Sequence, residues 1–150
     1  MTEEIRSDSP ARAIARAIRR GALAAIPLAL GTMLAVSGAS TAPGGFTAAQ
    51  VTQGSSLFST KCSFCHTLNL SGGAGPALSG ASFKKLAGKY KTAGGLYAVI
   101  SQKMPLDAPG SLGSTNYLAV TAFLLSKNGY SAGSDALSVK SANAVKLDAK

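Results

Sequence analysis

The sequence C-S-F-C-H at positions 62–66 constrains this chain more than any other segment, because it has the pattern C-x-x-C-H. That pattern is the attachment signal for a c-type haem. Each thiol can add to one vinyl group on the edge of a haem, and a histidine directly after the second thiol then lies beneath the iron. Cys62 and Cys65 are therefore predicted to tether one haem, and His66 to be its first axial ligand.

Other uses of a C-x-x-C pair fit the sequence less well. A thioredoxin-like site would follow a strand in an α/β pattern, and no such pattern surrounds this pair. A structural zinc site normally takes four Cys or His ligands, whereas this chain has two cysteines and one histidine in all. A simple disulfide would leave His66 without a role. Haem attachment is the interpretation that uses all three residues.

A second axial ligand can be chosen by elimination. Of the three methionines, Met1 and Met33 lie in an N-terminal segment predicted to be removed or embedded in a membrane. Met104 remains as the thioether available to iron, and Pro105 after it disfavours a helix at this point. Methionine is more often a core filler, so an ordinary packing role for Met104 is the alternative.

Further motifs surround these residues. A glycine and an aromatic residue precede the cysteines, a Gly-Pro-x-Leu sequence follows the histidine, a Met-Pro pair comes later, and the last predicted helix carries an aromatic residue. They are Gly54, Phe58, Gly75-Pro76-Ala77-Leu78, Met104-Pro105 and Phe123. In these features residues 46–130 resemble a small monohaem class I cytochrome c. The resemblance implies an all-α fold of three to five helices wrapped around one covalent haem c, and an electron carrier that is not an enzyme.

The resemblance also implies roles in the loop after the histidine. Pro76 would offer its carbonyl to the second nitrogen of His66, which would fix the imidazole ring and raise its basicity. Leu78 would pack against the haem. A plain turn at 75–76 is the alternative that the sequence leaves open.

A narrower similarity concerns partners. The stretch 103–112, Tyr117 and the segment from Ala122 to Tyr130 are similar to cytochrome domains that serve periplasmic quinoprotein dehydrogenases. This similarity implies a quinoprotein dehydrogenase as electron donor and a respiratory acceptor such as a terminal oxidase. A fixed subunit of a dehydrogenase complex is one alternative to a free carrier. A haem protein with an open distal site for a small ligand is another, although residues 43–150 contain no second histidine and no arginine.

Residues 1–42 are predicted to be an export signal. Four arginines at 12–20 precede an uncharged stretch at 21–36, and small residues suited to cleavage follow up to Ala42. The predicted location is therefore the periplasm, where two cysteines destined for haem suit an oxidising compartment. Retention as a membrane anchor is the alternative, although Pro27 interrupts an apolar run that is short for a span of about 20 residues.

The remaining chain is predicted to comprise a linker at 43–46, a cytochrome domain at 47–130 and a flexible tail at 131–150. A capping box formed by Thr47 and Gln50 is expected to begin the first helix. The mid-helix Gly54 costs about 1 kcal/mol relative to alanine, and close approach of the last helix is the expected compensation.

The net positive charge of residues 43–150 indicates which kinds of partner the protein would bind. Residues 43–150 hold ten lysines, no arginine and three aspartates. Such a surface favours acidic partners or anionic lipid, or it simply keeps a small protein soluble. Nucleic acid is not an expected partner, because the chain has no binding motif for it and is predicted to be exported.

Overall fold

The computed structural model describes residues 45–147, which form six helices, no named strand and one isolated bridge between Thr92 and Lys146. The predicted all-α class is confirmed. The helices are α1 Ala48–Lys61, α2 Ser63–His66, α3 Gly80–Tyr90, α4 Ala93–Lys103, α5 Ser114–Lys127 and α6 Val139–Ala142. The predicted export signal at 1–42 lies outside the described residues.

The first helix begins with the predicted capping box. The Thr47 hydroxyl accepts a hydrogen bond from the Gln50 backbone N–H at 3.3 Å, and the Gln50 side-chain oxygen accepts one from the Thr47 N–H at 3.2 Å. Two donors that the helix start leaves without partners are thereby satisfied. None of the helices within residues 45–147 is long and apolar enough to cross a membrane.

Helices α1 and α5 cross at Gly54. A Cβ atom at Gly54 would collide with the backbone carbonyl of Ala119 and lie 2.8 Å from the Cβ of Phe123. The rings of Phe58 and Phe123 pack beside this crossing, with centroids 5.2 Å apart and planes tilted by 40°. The expected close approach is therefore present, and it offsets the helix-propensity cost of the glycine.

Helix α5 is the centre of the core. Every residue from Tyr117 to Leu125 is buried, and the helix packs against both α1 and α4. It ends at Lys127 with Asn128 as C-cap, and Gly129 follows with a φ of +88°. Glycine adopts this left-handed conformation without steric cost, which suits the end of a helix.

Residues 131–147 pack against the domain as a C-terminal strap, so the predicted flexible tail is wrong for them. Leu137, Ala142 and Leu147 have 5% exposure or less. The Gln50 side chain accepts from the Leu137 N–H at 2.8 Å and donates to the Leu137 carbonyl at 2.9 Å. The segment lacks aromatic residues, but three well-spaced apolar side chains and backbone hydrogen bonds suffice to hold it. Residues 148–150 lie outside the described range.

The predicted linker also needs correction at its last residue. Phe46 is fully buried in the core, and its carbonyl accepts a hydrogen bond from the Gly133 N–H of the strap at 2.8 Å. The packed domain therefore extends on both sides of the predicted 47–130. The sequence around 43–46 is rich in Gly and Pro, and Phe46 is an isolated aromatic residue without the periodicity that marks a core position. Its burial was therefore not predicted.

Candidate haem-binding site

The three residues of the C-x-x-C-H motif lie on a single turn. Cys62 is the C-cap of α1, and its N–H donates to the Phe58 carbonyl at 2.9 Å. The Cys62 carbonyl accepts hydrogen bonds from the N–H of Cys65 at 3.2 Å and from the N–H of His66 at 3.0 Å. Both cysteines are half-buried and carry free thiols, whereas His66 is 8% exposed. The turn thus presents two tethers and one ligand from adjacent positions.

The His66 ring is oriented by the loop that follows it. Its Nδ1 atom lies 2.7 Å from the carbonyl oxygen of Pro76. Because a carbonyl can only accept, Nδ1 must carry the proton, and Nε2 is left with the lone pair that a metal requires. This is the contact that the resemblance implies for Pro76, and it holds the imidazole in the tautomer suited to iron.

Gly75 packs against the same imidazole. A Cβ atom at this position would lie 2.7 Å from Cε1 and 2.9 Å from Nδ1 of His66. The Gly75 N–H also donates to the Cys65 carbonyl at 2.9 Å. Glycine is therefore required beside the histidine, because any side chain would push against the imidazole ring.

Replacing Gly75 with alanine is expected to destabilise the protein by about 1–3 kcal/mol, the usual cost of forcing a methyl group into a packed site. Gly88→Ala is the matched control, because a Cβ at Gly88 in α3 meets nothing within 4 Å. That control should be neutral or slightly stabilising. Chemical denaturation of both variants measures the difference, and equal stabilities would contradict the packing argument.

The far end of the loop is attached to α5. Leu78 is half-buried against the core, and its N–H donates to the Leu70 carbonyl at 2.9 Å. The Asn128 side-chain amide donates to the Leu78 carbonyl at 3.0 Å and to the Leu124 carbonyl at 2.8 Å. Sequence reasoning missed this role of Asn128, because an asparagine before a glycine looks like an ordinary helix end.

Met104 lies where α4 ends. It is half-buried and extended, with φ −126° and ψ 153°, and its N–H donates to the Ile100 carbonyl at 2.9 Å. The extended backbone follows from Pro105, which sterically disfavours helical geometry in the residue before it. The Met104 carbonyl accepts a hydrogen bond from the Tyr117 hydroxyl. The sequence did not indicate this contact.

The Cys62 thiol is less acidic than an ordinary cysteine thiol. Burial, together with a smaller contribution from the nearby charge of Cys65, raises the pKa of the Cys62 thiol from 9.0 to about 11. Cys62 is consequently a neutral thiol at physiological pH. In the folded chain without haem it is a weak nucleophile, which limits its oxidation.

Large hydrophobic side chains are exposed beside the motif and beside Met104. Phe64 is 95% exposed, Leu68 69% and Leu106 79%. Phe64 lies between the two cysteines, and each leucine is two positions beyond a predicted ligand. These three side chains are therefore available for contact with a bound group or a partner.

The side chains at the site fit a haem better than a bare metal ion. The turn at 62–66 offers a histidine with a free Nε2 and two free thiols. Met104, the predicted second ligand, lies at the end of α4. Within residues 45–147, no three His, Cys, Asp or Glu side chains converge as a metal site would need. Two thiols and one imidazole on the same turn match the two tethers and the first axial ligand of haem c.

Comparison with known proteins decides the family. The family described as cytochrome c oxidase, cbb3-type, subunit III matches residues 49–124, a span from α1 to α5 that includes the motif and Met104. The chain belongs to this family. It is a class I c-type cytochrome, whose domain carries electrons by means of a covalent haem c and its iron. Cys62 and Cys65 fit the attachment pattern of that cofactor.

A solved structure supports the same conclusion about the cytochrome. The crystal structure of the sulfane dehydrogenase SoxCD from Paracoccus pantotrophus matches with a TM-score of 0.55 and 25% sequence identity. The match covers 65% of this chain and 52% of that chain, so the cytochrome spans about half the length of the chain it resembles. A search of curated proteins found no match.

Proposed function

We propose that this cytochrome is a periplasmic one-electron carrier that shuttles electrons between a dehydrogenase and a respiratory acceptor, and that it is not itself an enzyme. When bound, haem c supplies an iron that alternates between the ferric and ferrous states. The observation that carries the proposal is the position of His66, which lies on the same turn as two free thiols. Its imidazole is held by a hydrogen bond between Nδ1 and the Pro76 carbonyl.

Each residue of the site has a defined part in this proposal. Cys62 and Cys65 would tether the haem by adding their thiols to its two vinyl groups, and Leu78 would pack against it. His66 and Met104 would hold the iron, and Pro76 keeps the imidazole in the ligating tautomer. A histidine and methionine pair favours a comparatively high reduction potential. Two permanent ligands also spare the iron any exchange of ligands during electron transfer.

The partners follow from charge and from the comparisons. Ten lysines against three aspartates in residues 43–150 favour an acidic redox partner. The match to a sulfane dehydrogenase structure supports a dehydrogenase as donor, and the family description supports an oxidase as acceptor. A quinoprotein dehydrogenase is the donor that we favour. Encounters of this type are usually small and salt-sensitive.

The first test is the state of the haem in the full chain, produced in cells competent for haem attachment. We expect the haem to stay bound after denaturation, and the ferric protein to show the weak near-red band of methionine sulfur on iron. The double variant Cys62→Ala, Cys65→Ala should lose the covalent haem, whereas Ser63→Ala should retain it. Covalent haem without the near-red band would instead favour an open distal site that binds a small ligand.

A fixed subunit of a dehydrogenase complex is the second candidate. The similarity to part of a longer chain in a dehydrogenase structure favours it. It is still electron transfer, but with a permanent partner or with membrane association through the N-terminal segment. Co-purification with a partner at high salt would support this candidate, and a free cytochrome under the same conditions would support the shuttle.

A further inference from the structure

The segment that follows Met104 is held by few buried contacts. Residues 106–111 are all exposed, and Pro105 and Leu112 at its ends are half-buried. Its internal hydrogen bonds are local, from the Ala108 N–H to the Pro105 carbonyl at 3.0 Å and from the Ser111 N–H to the Ala108 carbonyl at 3.3 Å. Such a segment opens at low cost unless something fixes its ends.

The Tyr117 hydroxyl contacts both ends of this segment. It donates a hydrogen bond to the Met104 carbonyl and accepts one from the Leu112 N–H at 3.4 Å. The Tyr117 side chain is 2% exposed and belongs to the fully buried face of α5. A polar group in the core therefore connects the two ends of an exposed loop to the buried helix α5.

Both backbone polar groups of Met104 are consequently bonded to different helices. Its N–H donates to Ile100 in α4, and its carbonyl accepts from Tyr117 in α5. The position of the Met104 Cα, from which the thioether extends, is thus set by two packed helices. Without the Tyr117 hydroxyl, the hydrogen bond from the Met104 N–H to Ile100 would remain, and the Met104 carbonyl would lose its bond to α5.

We propose that Tyr117 is a positioning residue for the distal ligand, and that its hydroxyl determines how readily Met104 gives up its place on the iron to an external ligand. The inference rests on the methionine ligation of the proposed function. Tyr117 contacts neither the sulfur nor the iron in this proposal, and it acts through the Met104 carbonyl. Loss of the hydroxyl leaves the Met104 carbonyl without this partner, and it lowers the free energy needed to open the segment at 105–112.

Tyr117→Phe tests the inference, because it removes the hydroxyl and keeps the buried ring. Tyr97→Phe is the matched control, because the Tyr97 hydroxyl hydrogen-bonds with that of Ser114, at 3.1 Å, and not with Met104. Imidazole is titrated into the ferric full-chain protein while the near-red band is followed. We expect Tyr117→Phe to bind imidazole about tenfold more tightly than wild type, as the loss of one buried hydrogen bond implies. Tyr97→Phe should bind as wild type does.

Hydrogen exchange of the Leu112 amide is a second measurement, and it does not depend on whether Met104 binds the iron. The amide should exchange faster in Tyr117→Phe and be unchanged in Tyr97→Phe. If wild type shows the near-red band but both variants bind imidazole equally, the inference is overturned. If wild type lacks the band, the methionine ligation of the proposed function fails, and the amide exchange alone then decides whether Tyr117 holds the segment.

Discussion

Met104→Ala is expected to lower the reduction potential of the cytochrome by on the order of 0.2 V, a substantial part of the ~0.8 V range that axial ligands cover. The thioether is a soft ligand that favours ferrous over ferric iron, and water or hydroxide in its place favours the ferric state. The near-red band of the ferric protein should disappear in the same variant. A spectroelectrochemical titration measures both effects on one sample.

Leu106→Ala is the control for this experiment. Leu106 lies two positions beyond Met104 and is 79% exposed, so its loss changes the same segment without removing a ligand. Its potential should stay close to that of wild type. A Met104→Ala protein that keeps both the band and the potential would show that the iron takes its second ligand from elsewhere in the chain.

Gly54→Leu is expected to destabilise the domain by about 3 kcal/mol, the upper part of the usual range for overpacking. The added side chain would meet the Ala119 carbonyl and the Phe123 Cβ, and neither can move without separating α1 from α5. These two helices form the largest helix interface of the described residues. The unfolding midpoint in denaturant, with the haem attached, measures the loss.

Gly88→Leu provides the comparison for that variant. It makes the same substitution in another helix, at a position where a Cβ meets nothing within 4 Å. It should be neutral or mildly stabilising, because leucine is the better helix former. If the two variants lose similar stability, the cost at Gly54 comes from something other than the helix crossing.

Several local features were predictable because neighbouring residues produce them. The capping box at Thr47 and Gln50 needs a hydroxyl and an amide three positions apart, and it forms as predicted. The extended backbone at Met104 follows from the proline after it, and the turn of the C-x-x-C-H motif needs residues 62–66 alone. The crossing at Gly54 is not local, but it was predictable because a glycine inside a helix is costly without such a contact.

Other contacts between distant parts of the chain were not predictable. Examples are the hydrogen bonds from Tyr117 to Met104 and from Asn128 to Leu78. In the sequence, Tyr117 could be explained as a core aromatic residue and Asn128 as a helix cap, so neither bond was expected. The strap was misjudged for the same reason. Its apolar residues are too sparse to show periodicity, and the bonds that hold Leu137 come from Gln50 in the first helix.

The sequence by itself therefore determined the all-α class, the tethering motif at 62–66 and the candidacy of Met104, because each depends on residue chemistry and short spacing. Only the tertiary structure decided that Pro76 and Gly75 hold the His66 ring, that Tyr117 anchors Met104, and that residues 131–147 belong to the folded domain. Those features arise when packing brings polar groups together that are far apart in the chain, and buried polar groups then need partners that no local pattern reveals.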